Sequence, residues 1–304
     1  MSRDTIKLVA VGSVALDTIS TQAKSRTNLL GGSASYACAS ASLFANVGMV
    51  GVVGSDFPER FIKTFQSLSI NLDGLQHKEG KTFRWTGRYE SDMNTRQTLS
   101  TELNVFSGFS PVLPASYQRA PFLFLANIAP DLQLRVLNQI QSVKFIAADT
   151  MDLWIETKKA TLMKVIQRVD LLLINDSEVR KLTRQENLVK AGQKILSYGP
   201  RFLIIKKGEH GSMLISKDDV FILPAYPVDE VADPTGAGDA FAGGLIGYLA
   251  RSASISLASL RMAMLYGTVL ASFAVETFSL DRLAGLKSHH IDKRVHELKN
   301  MTSL

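Results

Sequence analysis

Asp233-Pro234-Thr235-Gly236-Ala237-Gly238-Asp239-Ala240-Phe241-Ala242-Gly243-Gly244 is the stretch that decides how this chain is read, and a helical pattern continues from it through Tyr248 and Leu249. Gly236-Ala237-Gly238 leaves backbone N–H groups uncovered at a helix N-terminus, where open donors and the helix dipole make an anion site. Asp239 falls in the first turn beside that site. An acid there is a candidate base for a hydroxyl, while bare amides offset charge developing on a phosphate. Taken alone, the pattern has a plainer reading, because a first-turn acid also complements the dipole and glycines also make turns. Two other phosphate motifs do not fit. The third glycine of GxGxxG would fall on Phe241, and GxxxxGK[ST] does not occur. A dinucleotide dehydrogenase and a P-loop enzyme are therefore disfavoured.

Working outward, short apolar runs rich in β-branched and aromatic residues recur between helical patterns. Ile6–Val11, Met49–Val53, Phe122–Leu125, Val143–Ala147, Asp170–Ile174 and Phe202–Ile205 read as buried strands. Phe57, Phe61, Ile62, Phe65 and Leu68 mark one helical face; Leu132, Leu134, Val136, Leu137 and Ile140 lie on another helix. Strands alternating with helices predict a mostly parallel sheet with helices on both faces, a three-layer α/β/α fold. Two segments break the rhythm. Thr82–Tyr89 alternates, with Phe83, Trp85 and Tyr89 on one side and Arg84, Thr86 and Arg88 on the other. Thr95–Val105 is again strand-like. Together with the long segment Val14–Leu30 they predict a small β-sheet lid, over about residues 13–31 and 80–107, on a single domain spanning 1–304.

Other parts of the chain agree in order and spacing with the first motif. Gly31-Gly32 follows a strand ending in Gly12-Ser13 and then Asp17; Asn175-Asp176-Ser177-Glu178 ends the strand before it; Lys207-Gly208-Glu209-His210-Gly211 follows Phe202–Ile205. Asp233–Asp239 resembles the C-terminal signature of the ribokinase-like, or PfkB, carbohydrate kinases. The glycine pair resembles their N-terminal signature, Asn175-x-x-Glu178 their Asn-x-x-Glu, and the Gly208–Gly211 loop their nucleotide loop. The resemblance runs from about residue 6 to the helix near Phe273.

This resemblance implies transfer of the γ-phosphoryl group of ATP to a hydroxyl, often a hydroxymethyl group. It implies Asp239 as general base and the amides of Gly236, Ala237 and Gly238 as anion hole, in keeping with a reaction that needs positioning and charge neutralisation. Asn175 and Glu178 would orient the triphosphate and Mg²⁺, Glu178 through water, although N-x-x-E also serves as a helix cap. Gly208 and Gly211 would approach the nucleotide, and Lys206 would reach phosphate, standing where many relatives carry a small hydroxyl residue. Asp233 and Thr235 match positions that bind a monovalent cation, K⁺, in some members. Asp17, Gly31 and Gly32 would hold the acceptor. Asn127, after the strand Phe122–Leu125, is a further acceptor candidate because such folds place ligands at carboxyl strand ends.

The chain also departs from its relatives. Tyr36 stands in the acceptor region where sugar kinases often carry Asn, and Met151 and Leu153 break the Asp-x-Asn-x-Arg pattern of several of them. Ribose, fructose and ketodeoxygluconate are therefore unsupported. The expected acceptor is a small sugar or polyol, with a nucleoside as alternative, since Trp85, Arg88, Asn94, Arg96 and Gln97 lie on the lid, where aromatic and amide groups could stack on a base and read its edge. The competing explanation of the aromatic stripe is packing or a homodimer contact through the lid. A non-catalytic ligand-binding relative is the alternative of a different class, against which the intact Asp239, Gly236, Gly238, Asn175 and Glu178 speak.

Composition narrows the rest. The 304 residues are 46% apolar and 20% charged with net charge +6, ordinary for a globular protein. Basic residues are spread without a long run, so no nucleic-acid partner is expected. Leu29–Ser55 carries no charge over 27 residues, but five Gly, five Ser and one Asn interrupt it; it reads as a buried helix and strand rather than a membrane span. The single cysteine, Cys38, and the lack of a signal peptide predict a reduced, cytoplasmic setting. His289, His290 and His296 lie among lysines and arginine and read as a solvated helix rather than a metal site.

Overall fold

The computed structural model describes residues 5–22 and 24–303. The strands in chain order are β1 (Leu8–Val11), β2 (Ala15–Ser20), β3 (Ser25–Gly31), β4 (Val47–Gly54), β5 (Asn71–Lys78), β6 (Phe83–Tyr89), β7 (Arg96–Glu102), β8 (Phe122–Leu125), β9 (Phe145–Asp149), β10 (Leu171–Asn175), β11 (Phe202–Lys206), β12 (Ser212–Ile215) and β13 (Val220–Leu223). Among the described residues nine of them form one sheet in the order β13-β12-β11-β10-β9-β8-β1-β4-β5, and β3-β2-β6-β7 form a second. From β11 to β5 every pairing in the large sheet is parallel; β12 and β13 are added as an antiparallel edge.

The central strands are apolar until their last residues, where β9 ends in Asp149, β10 in Asn175 and β11 in Lys206, because both faces of the sheet are covered. Leu8, Ala10, Leu171, Leu173 and Ile204 face one core, and Val9, Val11, Leu172, Ile174 and Leu203 face the other. The first core is roofed by α1 (Ser33–Ser42) and, later in the chain, by Ala237–Ser252, Leu257–Ala274 and Ser288–Thr302. The second lies under Pro130–Leu137, Lys159–Ile166, Asp176–Thr183 and Leu188–Leu196. Leu257–Ala274 is the one helix among the described residues long and apolar enough to cross a membrane, and most of it is buried inside the fold.

The strands expected at Met49–Val53, Phe122–Leu125, Asp170–Ile174 and Phe202–Ile205 are present within a few residues of those bounds. The strand expected at Val143–Ala147 lies two residues later, which carries Asp149 into it. Polar β5 was not foreseen: it is an edge strand in which only Gly74 and Leu75 are buried. The small sheet uses both expected segments. β6 pairs antiparallel with β7 but parallel with β2, so Asp17 lies beside Trp85 in register.

Candidate active site

The parallel strands end on one rim, where ligands bind in open α/β sheets. Asn127 follows β8, Asp149 ends β9, Asn175 ends β10 and Lys206 ends β11; register pairs Leu173 with Asp149 and Asn175 with Lys206. Over this rim stands the start of the helix Ala237–Ser252. Its cap, Gly236, is left-handed at φ 76, and a Cβ there would lie 2.3 Å from the Tyr36 ring. Only glycine meets both demands. No side chain caps this helix. The Ala237 N–H donates to the Pro234 carbonyl at 3.2 Å; among the described residues no acceptor takes the N–H of Gly236 or Gly238. Two of the three amides are thus open toward an anion.

Asp239 sits in the first turn. Burial, then the neighbouring Asp149, push its carboxyl up to about 7, against the pull of Lys206 and Arg96. A carboxyl poised near neutrality beside an anion site has the acidity a general base needs. Asp17 is buried on β2, packed so closely on Gly31 that a Cβ there would lie 1.9 Å from its Oδ2. Its Oδ1 has no hydrogen-bond partner. Burial, then Asp233 and Asp239, push it up to about 8.

The capping role of Asn175-x-x-Glu178 is real: Asn175 Oδ1 accepts the Glu178 N–H at 2.8 Å, and Glu178 Oε2 accepts the Asn175 N–H at 2.9 Å. The box consumes only Oε2. Burial first, with Asp149 and Asp152 adding, pushes Glu178 up to about 7 although Lys206 and the Asn175 N–H oppose it. Lys206 Nζ lies 2.6 Å from Asp149 Oδ2. Gly208 and Gly211 bracket a 3₁₀ turn with positive φ, reached from the small sheet by Asn94 Nδ2, which donates to Glu209 Oε1 at 2.9 Å. Lys206, Gly208, Gly211, Gly238, Phe241 and Tyr226 bound a cleft of about 500 Å³, within the range of small-molecule sites.

Other candidates are placed differently. Gly32 caps α1 at φ 93 and packs on the backbone of Ser13 and Val14. Tyr36 is buried under Gly236, with its hydroxyl unpartnered. Asn127 is occupied within the protein: Oδ1 accepts Trp154 Nε1–H at 2.9 Å and Nδ2 meets Met151 Sδ at 3.2 Å. Asp233 Oδ1 accepts the Thr235 N–H at 2.9 Å, while its Oδ2 is buried without a partner. Thr235 Oγ1 donates to Tyr89 OH at 3.0 Å and so ties the small sheet to the glycine motif. Asp149 opens the broken Asp-x-Asn-x-Arg pattern but was not among the expected site residues; an acid closing an apolar strand is a further signal for it. Among the described residues no three His, Cys, Asp or Glu side chains gather to hold a metal ion.

Phosphoryl transfer asks a protein for positioned donors that neutralise charge and a nearby base, and open amides beside a buried carboxylate at the carboxyl rim of a parallel sheet could meet both needs. The model of the pfkB family carbohydrate kinases matches residues 5–283, and the chain belongs to that family. It is an ATP-dependent small-molecule kinase with the ribokinase-like fold. A cytidine kinase of Thermococcus kodakarensis is 30% identical over 80% of this chain and 88% of its own length. A nucleoside kinase of Methanocaldococcus jannaschii is 25% identical over 89% of this chain and 90% of its own; a crystal structure of a nucleoside kinase from that organism superposes with a TM-score of 0.76 at 20% identity, covering 96% of this chain and 99% of that one. A putative ribokinase II from E. coli, solved with ATP and Mg²⁺, has a TM-score of 0.79 at 17% identity, covering 96% of this chain and 99% of that one.

Proposed function

We propose that this kinase transfers the γ-phosphoryl group of ATP to the hydroxymethyl oxygen of a nucleoside. Asp239 takes the acceptor's proton, the acceptor oxygen bonds to the γ-phosphorus, and the bond from that phosphorus to its bridging oxygen breaks with the electron pair leaving on ADP. The open amides of Gly236 and Gly238, with Ala237 between them, receive the charge on the transferred group. The observation that carries this reading is Asp239 in the first turn of an uncapped helix, its carboxyl raised to about 7 by burial and Asp149.

The nucleoside is preferred to the sugar or polyol expected from the motifs because the relatives aligned along most of the chain are named as cytidine and nucleoside kinases. The small sheet supports the same choice. Residues side by side in a sheet project from one face, so Trp85 and Asp17 share a face. Trp85 is half-buried, with Arg96 stacked 5.3 Å from its ring centroid. A base over Trp85 and ribose hydroxyls at Asp17, beside Gly31 and Gly32, would bring the hydroxymethyl group toward Asp239.

The triphosphate lies against Asn175, Lys206, Gly208 and Gly211 in this reading. Mg²⁺ is held mainly by phosphate oxygens and water in such sites, which fits a rim with no all-protein cage and a Glu178 whose Oε2 alone is committed to the helix cap. Glu178 would hold it through water, and the ion would neutralise charge on the β- and γ-phosphates. The test of the base is Asp239→Asn. Removal of a general base costs roughly 10²–10⁴-fold in turnover; ATP binding, measured calorimetrically, should be retained. A variant with wild-type turnover would overturn the assignment.

A further inference from the structure

Building on that reading, we infer that Lys206 is a catalytic cation for the transferred phosphoryl group and that Asp149 is the residue that positions it. A lysine at a strand end ordinarily keeps its ammonium in water. Here the side chain turns inward: Lys206 is 20% and Asp149 4% exposed, with Nζ and Oδ2 2.6 Å apart. The carboxylate is itself fixed, because Asp149 Oδ1 accepts the Thr150 N–H at 2.8 Å and the Asp149 carbonyl accepts from buried Gln133 Nε2 at 3.1 Å. Buried ion pairs recover little net stability after desolvation, so folding alone does not account for the pair.

Its location does. A Cβ on Gly238 would stand 3.4 Å from Lys206 Nζ. The ammonium is therefore at the mouth of the open amides, where an anion seated on Gly236 and Gly238 falls within its reach. Lysine suits that task as a compact charge with three donors, and it serves phosphate in this way in other phosphotransferases. Burial disfavours its charge, but Asp149, Glu178 and Asp239 outweigh that and hold it protonated. During transfer the new oxygen–phosphorus bond forms, the bridging bond breaks onto ADP and the acceptor's proton passes to Asp239. Lys206 keeps its proton and supplies charge only; Asp149 keeps it aimed.

The experiment compares wild type with Lys206→Met, Lys206→Arg and Asp149→Asn. Calorimetry with Mg-ATP and with AMP, in the absence of acceptor, reads the phosphate contact. Lys206→Met should weaken ATP roughly tenfold or more, the equivalent of a lost charge-assisted hydrogen bond, and leave AMP within about twofold of wild type, with Lys206→Arg partly restoring ATP. The pH profile of kcat/KM with a nucleoside reads the position. The groups acting on Asp239 are Asp149, Lys206 and Arg96, with Asp17 coupled to it from the small sheet. Lys206→Met should move the acid limb to higher pH and Asp149→Asn to lower pH, opposite shifts that general loosening would not produce. ATP and AMP weakened alike, or an unchanged ATP affinity and kcat in Lys206→Met, overturns the inference. A wild type that binds ATP better than AMP through Lys206, yet phosphorylates no nucleoside, would overturn the acceptor reading instead.

Discussion

Replacing Asp17 by Asn should stabilise this protein, and by more as the pH rises. The carboxyl is 3% exposed, its Oδ1 has no hydrogen-bond partner, and its pKa is raised from 3.8 to about 8 by burial, then by Asp233 and Asp239. A raised acid pKa means that the folded chain holds a proton the unfolded chain has released. The associated stability is complete below about pH 4 and is lost as the pH climbs through about 8. Each unit corresponds to about 1.4 kcal/mol. Over the interval from 3.8 to about 8 the loss is on the order of 6 kcal/mol, comparable to the whole stability of a small domain. Asparagine keeps the shape and removes the charge. Urea unfolding of both proteins across about pH 4.5 to 8.5 should show the variant's advantage growing by several kcal/mol toward the alkaline end. If Asp17 holds the acceptor, the gain comes with a raised KM for nucleoside, the usual trade at a binding carboxylate. A stability difference that does not change with pH would refute the reasoning.

Three further expectations follow from the same geometry. Below about pH 7, kcat/KM should fall as Asp239 takes up a proton, because the free enzyme's base sets that limb; a profile flat from about pH 5 to 8 would contradict it. Gly236→Ala forces a side chain into a left-handed residue and onto the Tyr36 ring. It should cost roughly 1–3 kcal/mol in thermal or chemical unfolding and lower kcat by displacing the open amides; wild-type stability would speak against the tight contact. Tyr89→Phe removes the acceptor of the Thr235 hydroxyl. It should cost about 1 kcal/mol and raise KM for the nucleoside more than for ATP, and equal effects on the two would discount Tyr89 as a tie between small sheet and site.

The parallel core was legible because strands buried on both faces cannot hide: Leu171–Ile174 and Phe202–Ile205 are apolar throughout, and their neighbours in the sheet read the same way. The small sheet was legible for the opposite reason, since Thr82–Tyr89 alternates. β5 was not, because as an edge strand with two buried residues its Asn71–Lys78 sequence carries neither pattern. At the site, the Gly236–Asp239 motif encodes its own local geometry, a turn followed by an open helix end. What it does not encode is the partner across the rim. Asp149 meets Lys206 only because β9, β10 and β11 lie side by side. The engagement of Asn127 by Trp154 and Met151 is likewise a long-range packing outcome. At Glu178 the cap reading of the motif is the one the geometry forms, by a carboxylate that also lies within the field of Lys206 and Asp149.

The measurement that tests the central claim most directly is transfer of γ-phosphate from Mg-ATP to a panel of nucleosides, sugars and polyols, with the phosphorylated product identified by mass spectrometry and ³¹P NMR. The account predicts a nucleoside monophosphate carrying its phosphate on the hydroxymethyl oxygen, at rates well above those with any sugar or polyol and abolished in Asp239→Asn. A sugar or polyol phosphate as the favoured product, with nucleosides left unmodified, would contradict it.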